Sequence, residues 1–220
     1  MKTNYSHIAV ILDRSGSMSS VKEATIAGFN DFLDKQKKTP GEATISLHQF
    51  DDVYETVYDF ANLQYAPLLN ETTYQPRNST ALLDAIGKTI NNLGVRLGAM
   101  TENERPERII VVIQTDGYEN ASKEYTKDKI NELIIHQRDK YNWQFLFLGA
   151  NQDAIMTASS IGIQANKSMT YDHSSVGTSN MYMAASNLTS SLRICAVETM
   201  EAVEFSEYDK KKQEDLLKTP

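Results

Sequence analysis

Residues 7–17 read His7-Ile8-Ala9-Val10-Ile11-Leu12-Asp13-Arg14-Ser15-Gly16-Ser17. Five apolar residues, three of them β-branched, follow the histidine and stop abruptly at a polar, glycine-containing stretch. A short continuous apolar run of this kind suits a strand buried on both faces. Such strands belong to parallel sheets covered by helices.

The chain then supplies the helices and more strands. Ser20-Val21-Lys22-Glu23 has the S-x-x-E form of a capping box. Val21, Ala24, Gly28 and Phe32 follow at helical spacing, and Thr39-Pro40-Gly41 stops the helix. Ala43–Phe50 and Val53–Phe60 flank Asp51-Asp52, which predicts a hairpin with an antiparallel edge strand. Leu83, Ile86, Ile90, Leu93 and Leu97 make one apolar stripe of a helix. Arg108–Ile113 is the most strand-like run and ends at Thr115-Asp116-Gly117. Ile130, Leu133 and Ile134 mark another helix. Trp143–Leu148 is a strand stopped by Gly149, with a turn capped by Asn151. Ala154, Ile155, Ala158 and Ile161 suggest a short helix, Ser168–Tyr171 a last strand, and Ser174 to Phe205 a last helix. Residues 207–220 read as a charged, frayed tail. Strands and helices alternate with no repeat or dividing linker. The expected fold is therefore α/β: a doubly wound, mostly parallel sheet with one antiparallel edge strand and helices on both faces.

Composition narrows the function. The 220 residues include 40% hydrophobic and 23% charged residues, which is globular rather than disordered. The net charge is -7 and the pI about 5.2. An acidic chain repels phosphate backbones, so no nucleic-acid partner is expected. The runs at Lys35, Lys37 and Lys38 and at Lys210, Lys211 and Lys212 are short and read as solvated helix faces. No apolar run approaches the ~20 residues that cross a bilayer, so no membrane partner is expected. The single cysteine, Cys195, has no internal partner, and the N-terminus lacks the form of a signal peptide. A cytoplasmic location is the default.

In a doubly wound sheet, ligands bind beyond the carboxyl ends of the strands. Three loops leave strands at that edge with oxygen-rich side chains: Asp13-Arg14-Ser15-Gly16-Ser17, Asn78-Ser79-Thr80 and Thr115-Asp116-Gly117. They offer two carboxylates and several hydroxyls, and neither His nor Cys. Such a set selects a hard cation, Mg²⁺ or Mn²⁺, rather than zinc. Two carboxylates only just neutralise the ion, so it remains able to accept an anionic oxygen from outside.

Asp13-x-Ser15-x-Ser17 resembles the D-x-S-x-S motif of von Willebrand factor A domains. Thr80-x-Leu82-x-x-Ala85-Ile86 resembles the family's T-x-L-x-x-A-[IL] segment, and Ile113-Gln114-Thr115-Asp116-Gly117 its strand ending in T-D-G. Order and spacing agree over about residues 5–195, with the domain placed at 1–206. The resemblance implies a metal-ion-dependent adhesion site formed by Asp13, Ser15, Ser17, Thr80 and Asp116. It also implies a protein partner presenting an Asp or Glu. One departure stands out: the family often has glycine just before the threonine, where this chain has Asn78 and Ser79.

Plainer readings exist for each residue. Ser15 and Ser17 could be loop or cap serines, Thr80 a helix cap, and Asp116 a turn residue. Gly87-Lys88-Thr89 lacks the earlier glycine of a P-loop, since Leu82 stands there. His48, His136 and His173 show no metal-ligand spacing and read as surface or hydrogen-bonded histidines. Arg14 is either solvated charge or a selector of the partner. The expected function is a non-enzymatic protein-binding module. The alternative is a metal-dependent hydrolase such as a phosphatase. It is disfavoured because Ser15 stands where D-x-D phosphatases carry a second carboxylate and no G-x-S-x-G elbow occurs.

Overall fold

The computed structural model describes residues 1–150 and 154–218. The turn read as capped by Asn151 lies outside these residues. Six strands form one sheet: β1 (Lys2–Asp13), β2 (Glu42–Phe50), β3 (Tyr54–Asn62), β4 (Pro106–Thr115), β5 (Gln144–Gly149) and β6 (Ser168–Thr170). Their order is β3-β2-β1-β4-β5-β6, and every neighbouring pair is parallel except β2 with β3. This is the expected doubly wound sheet with its antiparallel edge.

Alternation along the strands builds two cores. On β1, Ile8, Val10 and Leu12 face one side and Ala9 and Ile11 the other; Ile110 and Val112 oppose Ile109, Val111 and Ile113 on β4 in the same way. The first face is covered by α1 (Lys22–Lys38) and α5 (Ser175–Ile194), through Phe29, Phe32, Met181 and Leu188. The second is covered by α2 (Leu82–Ala99), α3 (Lys127–Tyr141) and α4 (Ala154–Ser160), through Ile86, Ile90, Ile130, Ile134 and Ala158. Burial on both sides explains why the central strands are unbroken apolar runs. Among the described residues no helix is long and apolar enough to cross a membrane.

Three expectations are corrected. The capping box does not form: Gly16–Val21 is a 3-10 turn, α1 begins at Lys22 without a side-chain cap, and the Ser20 hydroxyl donates to the Ser17 carbonyl at 3.3 Å. The last helix does not run to Phe205. It ends at Ile194, followed by a 3-10 turn at Val197–Ala202. The break is secured by the buried Arg193, whose guanidinium donates to the carbonyls of Gln36, at 2.6 Å, and Gly41, at 3.2 Å. The end of the chain is not frayed at Glu207. Residues Glu207–Leu217 form α6, capped by Ser206. The buried Gln213 docks it, donating to the Gly177 carbonyl at 2.9 Å and accepting from the Asp172 N–H at 3.1 Å.

α1 and α5 pack closely at Gly28. A Cβ added there would lie 2.3 Å from the ring of Tyr182, whose hydroxyl is itself tied to Gln114. Gly98 in α2 faces open space. Gly28→Ala is expected to lower the unfolding free energy by about 1–3 kcal/mol. Gly98→Ala should raise it by about 0.5–1 kcal/mol, through helix propensity alone. Urea unfolding of the two variants checks the contrast; equal shifts would mean that the helix pair is looser than described.

At the β2–β3 side, His7 is stacked on Phe60 with ring centres 3.9 Å apart, and His48 lies on Tyr54 at 5.2 Å. Each Nδ1 is 3.0 Å from a threonine hydroxyl, Thr44 or Thr56. Both rings line a cavity of about 50 Å³ with Ser46 and Asp59. Burial lowers the pKa of His7 to about 3 and that of His48 to about 4, from an ordinary 6.5. The unfolded chain therefore takes up protons below about pH 6.5 that the folded chain refuses, and stability falls as pH falls through that window. At pH 5 each imidazole costs about 2 kcal/mol relative to neutral pH. His48→Gln should lose that much less stability than the wild type between about pH 7.5 and 5 in urea unfolding. The comparison separates the imidazole from the carboxylates common to both chains, and identical losses would refute the assignment.

Candidate metal centre

The ends of β1 and β4 lie side by side, with Leu12 in register with Gln114. Asp13 closes β1, and Asp116 follows Thr115, the last residue of β4. Asp13 is fully buried. One carboxylate oxygen accepts the Ser15 N–H at 2.6 Å and the other accepts the Thr115 hydroxyl at 2.6 Å. Its carbonyl accepts the hydroxyl of the buried Tyr74 at 2.7 Å. These bonds orient the side chain but do not offset its desolvation. Burial raises its pKa to about 6 from 3.8, with the Asp116 charge adding to the effect.

The hydroxyls gather on Asp116. Ser17 Oγ donates to Asp116 Oδ1 at 2.7 Å, Ser15 Oγ reaches the same oxygen at 3.5 Å, and the two serine oxygens are 3.1 Å apart. Ser15 stands at the N-cap position of the Gly16–Val21 turn, but its side chain makes no capping hydrogen bond. Thr80 is held by its backbone: its N–H donates to Asn120 Oδ1 at 2.9 Å, and its carbonyl accepts the N–H groups of Asn120 and Ala121. It does not cap α2, whose N-cap is Ala81. A Cβ on Gly117 would lie 2.9 Å from Thr80 Oγ1, so glycine there lets the threonine approach the Asp116 loop. All five candidate residues thus belong to one cluster, with Thr80 joined through Gly117.

Backbone straps fix the loops. The Arg77 N–H donates to the Arg14 carbonyl at 2.7 Å, Gly16 to Asn78 at 3.1 Å and Ala81 to Asp51 at 2.8 Å. Asn78, at the departure from the family pattern, has a φ of 58°, a left-handed conformation that asparagine tolerates better than most residues. Arg14 is neither solvated nor on the rim. It is buried and paired with Asp51, at 3.4 Å, and Glu55, while Arg77 binds the same two carboxylates at 2.6 and 3.3 Å. The hydrogen bond from Arg14 holds the Glu55 carboxyl below its ordinary pKa.

Sequence reasoning missed several supports. Glu119 accepts the N–H of Leu83 at 2.9 Å, and Ser122 Oγ accepts that of Asp84 at 3.0 Å, meeting two orphan donors at the start of α2. Asp84 in turn accepts the N–H groups of Lys123, Glu124 and Tyr125, each at 2.9 Å. His173, between β6 and α5, was also missed. Its Nε2 lies 2.9 Å from Asp116 Oδ2, and the carboxylate raises its pKa. The approach is poorly aligned for a hydrogen bond, and Oδ2 is buried without a directed one. No sequence spacing links residues 116 and 173.

The donor set fits a cation. Two buried carboxylates face one site, and neither has a lysine or arginine partner among the described residues. Such charge is costly until something positive compensates it. Among the described residues no three His, Cys, Asp or Glu side chains gather as a metal cluster. The set is rich in hydroxyls instead.

No family model matches the sequence, and no curated protein does. Solved structures do match in fold. Proximal thread matrix protein 1 from the mussel byssus, one structure of which has a zinc-occupied metal-ion-dependent adhesion site, has a TM-score of 0.60 at 16% identity, over 84% of this chain and 48% of that one. The manganese-loaded TRAP protein of Plasmodium vivax has a TM-score of 0.53 at 14% identity, over 78% and 70%. A von Willebrand factor type A structure from Catenulispora acidiphila has 0.54 at 11% identity, over 84% and 42%. The chain spans about half the length of the mussel protein. At these identities the likeness is one of fold, and the fold is that of a von Willebrand factor A domain.

Because Asp13 is buried with a raised pKa, its ionised form opposes folding above about pH 6, and this penalty fades as pH falls toward 3.8. Without metal, Asp13→Asn is expected to raise the unfolding free energy by up to about 3 kcal/mol at neutral pH. The gain should shrink toward pH 4.5. Denaturation in EDTA at both pH values checks it; a destabilised variant would make Asp13 a structural residue.

Proposed function

We propose that this chain is a binding module that holds one divalent cation, Mg²⁺ or Mn²⁺, at the carboxyl edge of its sheet and captures an Asp or Glu of a protein partner with it. The observation that carries this reading is the pair of buried carboxylates, Asp13 and Asp116, without a lysine or arginine partner among the described residues and with Ser15 and Ser17 within reach of the second. The occupied sites of the zinc and manganese structures support a divalent ion in this fold. Oxygen donors favour Mg²⁺ or Mn²⁺ over zinc.

Asp13, Ser15, Ser17, Thr80 and Asp116 would hold the ion, directly or through water. The ion supplies a Lewis-acidic site for an anionic oxygen. The protein supplies its shape: Thr115 and the Ser15 N–H aim Asp13, the Asn120 strap sets Thr80, and the Arg14–Asp51–Arg77 cluster keeps the first two loops together. Tyr118, 63% exposed beside Gly117, offers an aromatic contact for the partner.

We read the module as non-enzymatic. Ser15 spends its hydroxyl on Ser17 and Asp116, and position 15 carries no second carboxylate to serve as a general acid or base.

Calorimetry with Mg²⁺ or Mn²⁺ is expected to show one site, which Asp13→Ala abolishes. A glutamate-bearing peptide should raise the affinity for the ion and lose its own binding in EDTA. Unchanged metal binding by Asp13→Ala would remove the assignment.

A further inference from the structure

His173 stands at the metal centre without a part in the function proposed above. It precedes α5, its side chain is about one-third exposed, and Nε2 lies 2.9 Å from the buried Asp116 Oδ2. The serines occupy the other oxygen of the same carboxylate. Asp116 is thus flanked by hydroxyl donors on one side and an imidazole nitrogen on the other.

The contact is not a well-made hydrogen bond. Oδ2 accepts none that is properly directed, so the imidazole is not committed to it by an aligned N–H. Without metal, a proton on Nε2 is what keeps the nitrogen and the carboxylate oxygen from repelling each other, and a divalent ion would take that proton's place between the same two atoms. Two donors about 2.1 Å from an octahedral ion and cis to each other lie about 3.0 Å apart. The Asp116–His173 spacing of 2.9 Å is compatible with that edge.

We propose that His173 is a nitrogen ligand of the ion held by Asp116, which raises the affinity of this centre for Zn²⁺, Co²⁺ or Mn²⁺ and leaves that for Mg²⁺ as the oxygen donors set it. The inference rests on the reading of the site as a metal centre. It changes the chemistry of that centre, because imidazole suits zinc and its neighbours while Mg²⁺ demands oxygen. It adds one nitrogen to a hydroxyl-rich set rather than completing a preformed cluster of acids and histidines, which the described residues lack.

The test is calorimetry with Mg²⁺ and Zn²⁺ on the wild type, Asp13→Ala, His173→Ala and His173→Gln, with pulsed EPR of the Mn²⁺-loaded forms. The wild type should show nitrogen coupling to bound Mn²⁺, which both His173 variants lose. Their Zn²⁺ affinity should fall about tenfold or more, with Mg²⁺ affinity nearly unchanged. Mn²⁺ binding without nitrogen coupling overturns the role of His173 and leaves the metal centre standing. So does an equal fall for both ions, or tighter Mg²⁺ binding in the variants, the mark of an imidazole that blocks the site. No binding of any ion by the wild type overturns the metal centre and this inference with it.

Discussion

The placement of one carboxylate governs the top of this molecule. Asp13 ends the central strand at a depth that no water reaches, and its hydrogen bonds come from the Ser15 N–H and the Thr115 hydroxyl rather than from a cation. A second acid, Asp116, shares the site. The arrangement is held open against its own electrostatics by the sheet beneath it. β1 and β4 are the two central strands, buried on both faces, so their ends cannot splay to relieve the repulsion.

The cost is local and the support is distributed. Two cores, one on each face of the sheet, supply the stability that a desolvated acid pair removes, the usual relation between a strained site and its scaffold. Ionic groups near the site act as fasteners. Arg14 and Arg77 share Asp51 and Glu55, which binds the first loop to the β2–β3 turn and to the segment before α2. Glu119 and Asp84 bind the loop after β4 to the start of α2. Each fastener is a carboxylate satisfied by its own donors, so those acids are spent. Among the described residues Asp13 and Asp116 are the pair at this edge left without a lysine or arginine partner.

The likeness to solved structures reinforces this division between scaffold and site. Identities of 11–16% leave little of the sequence in common, yet the fold persists. The residues around the candidate site are this chain's own. They include Asn78 in a left-handed turn, Tyr118 on the rim and His173 behind Asp116. Function in such a fold is set by residues at the site and not by the scaffold.

Much of this was legible in the sequence, for a physical reason. Strands buried on both faces must be unbroken apolar runs, and His7–Leu12, Arg108–Ile113 and Trp143–Leu148 announce themselves as such. The polar residues that follow the first two fall at the carboxyl edge, and the resemblance to von Willebrand factor A motifs let Thr80 be grouped with Asp13, Ser15, Ser17 and Asp116 before any coordinates. Only the tertiary structure decided what depended on distant partners. The S-x-x-E pattern at Ser20 yields to a 3-10 turn, because the preceding loop is pinned to Asn78. Arg14 turns inward because Asp51 and Glu55 wait on a neighbouring hairpin. The charged end docks because Gln213 finds Gly177 and Asp172, and His173 reaches Asp116 because β6 pairs beside β5. A local pattern records the period and polarity of a segment. It carries no record of which remote group will stand opposite each side chain once the sheet is assembled.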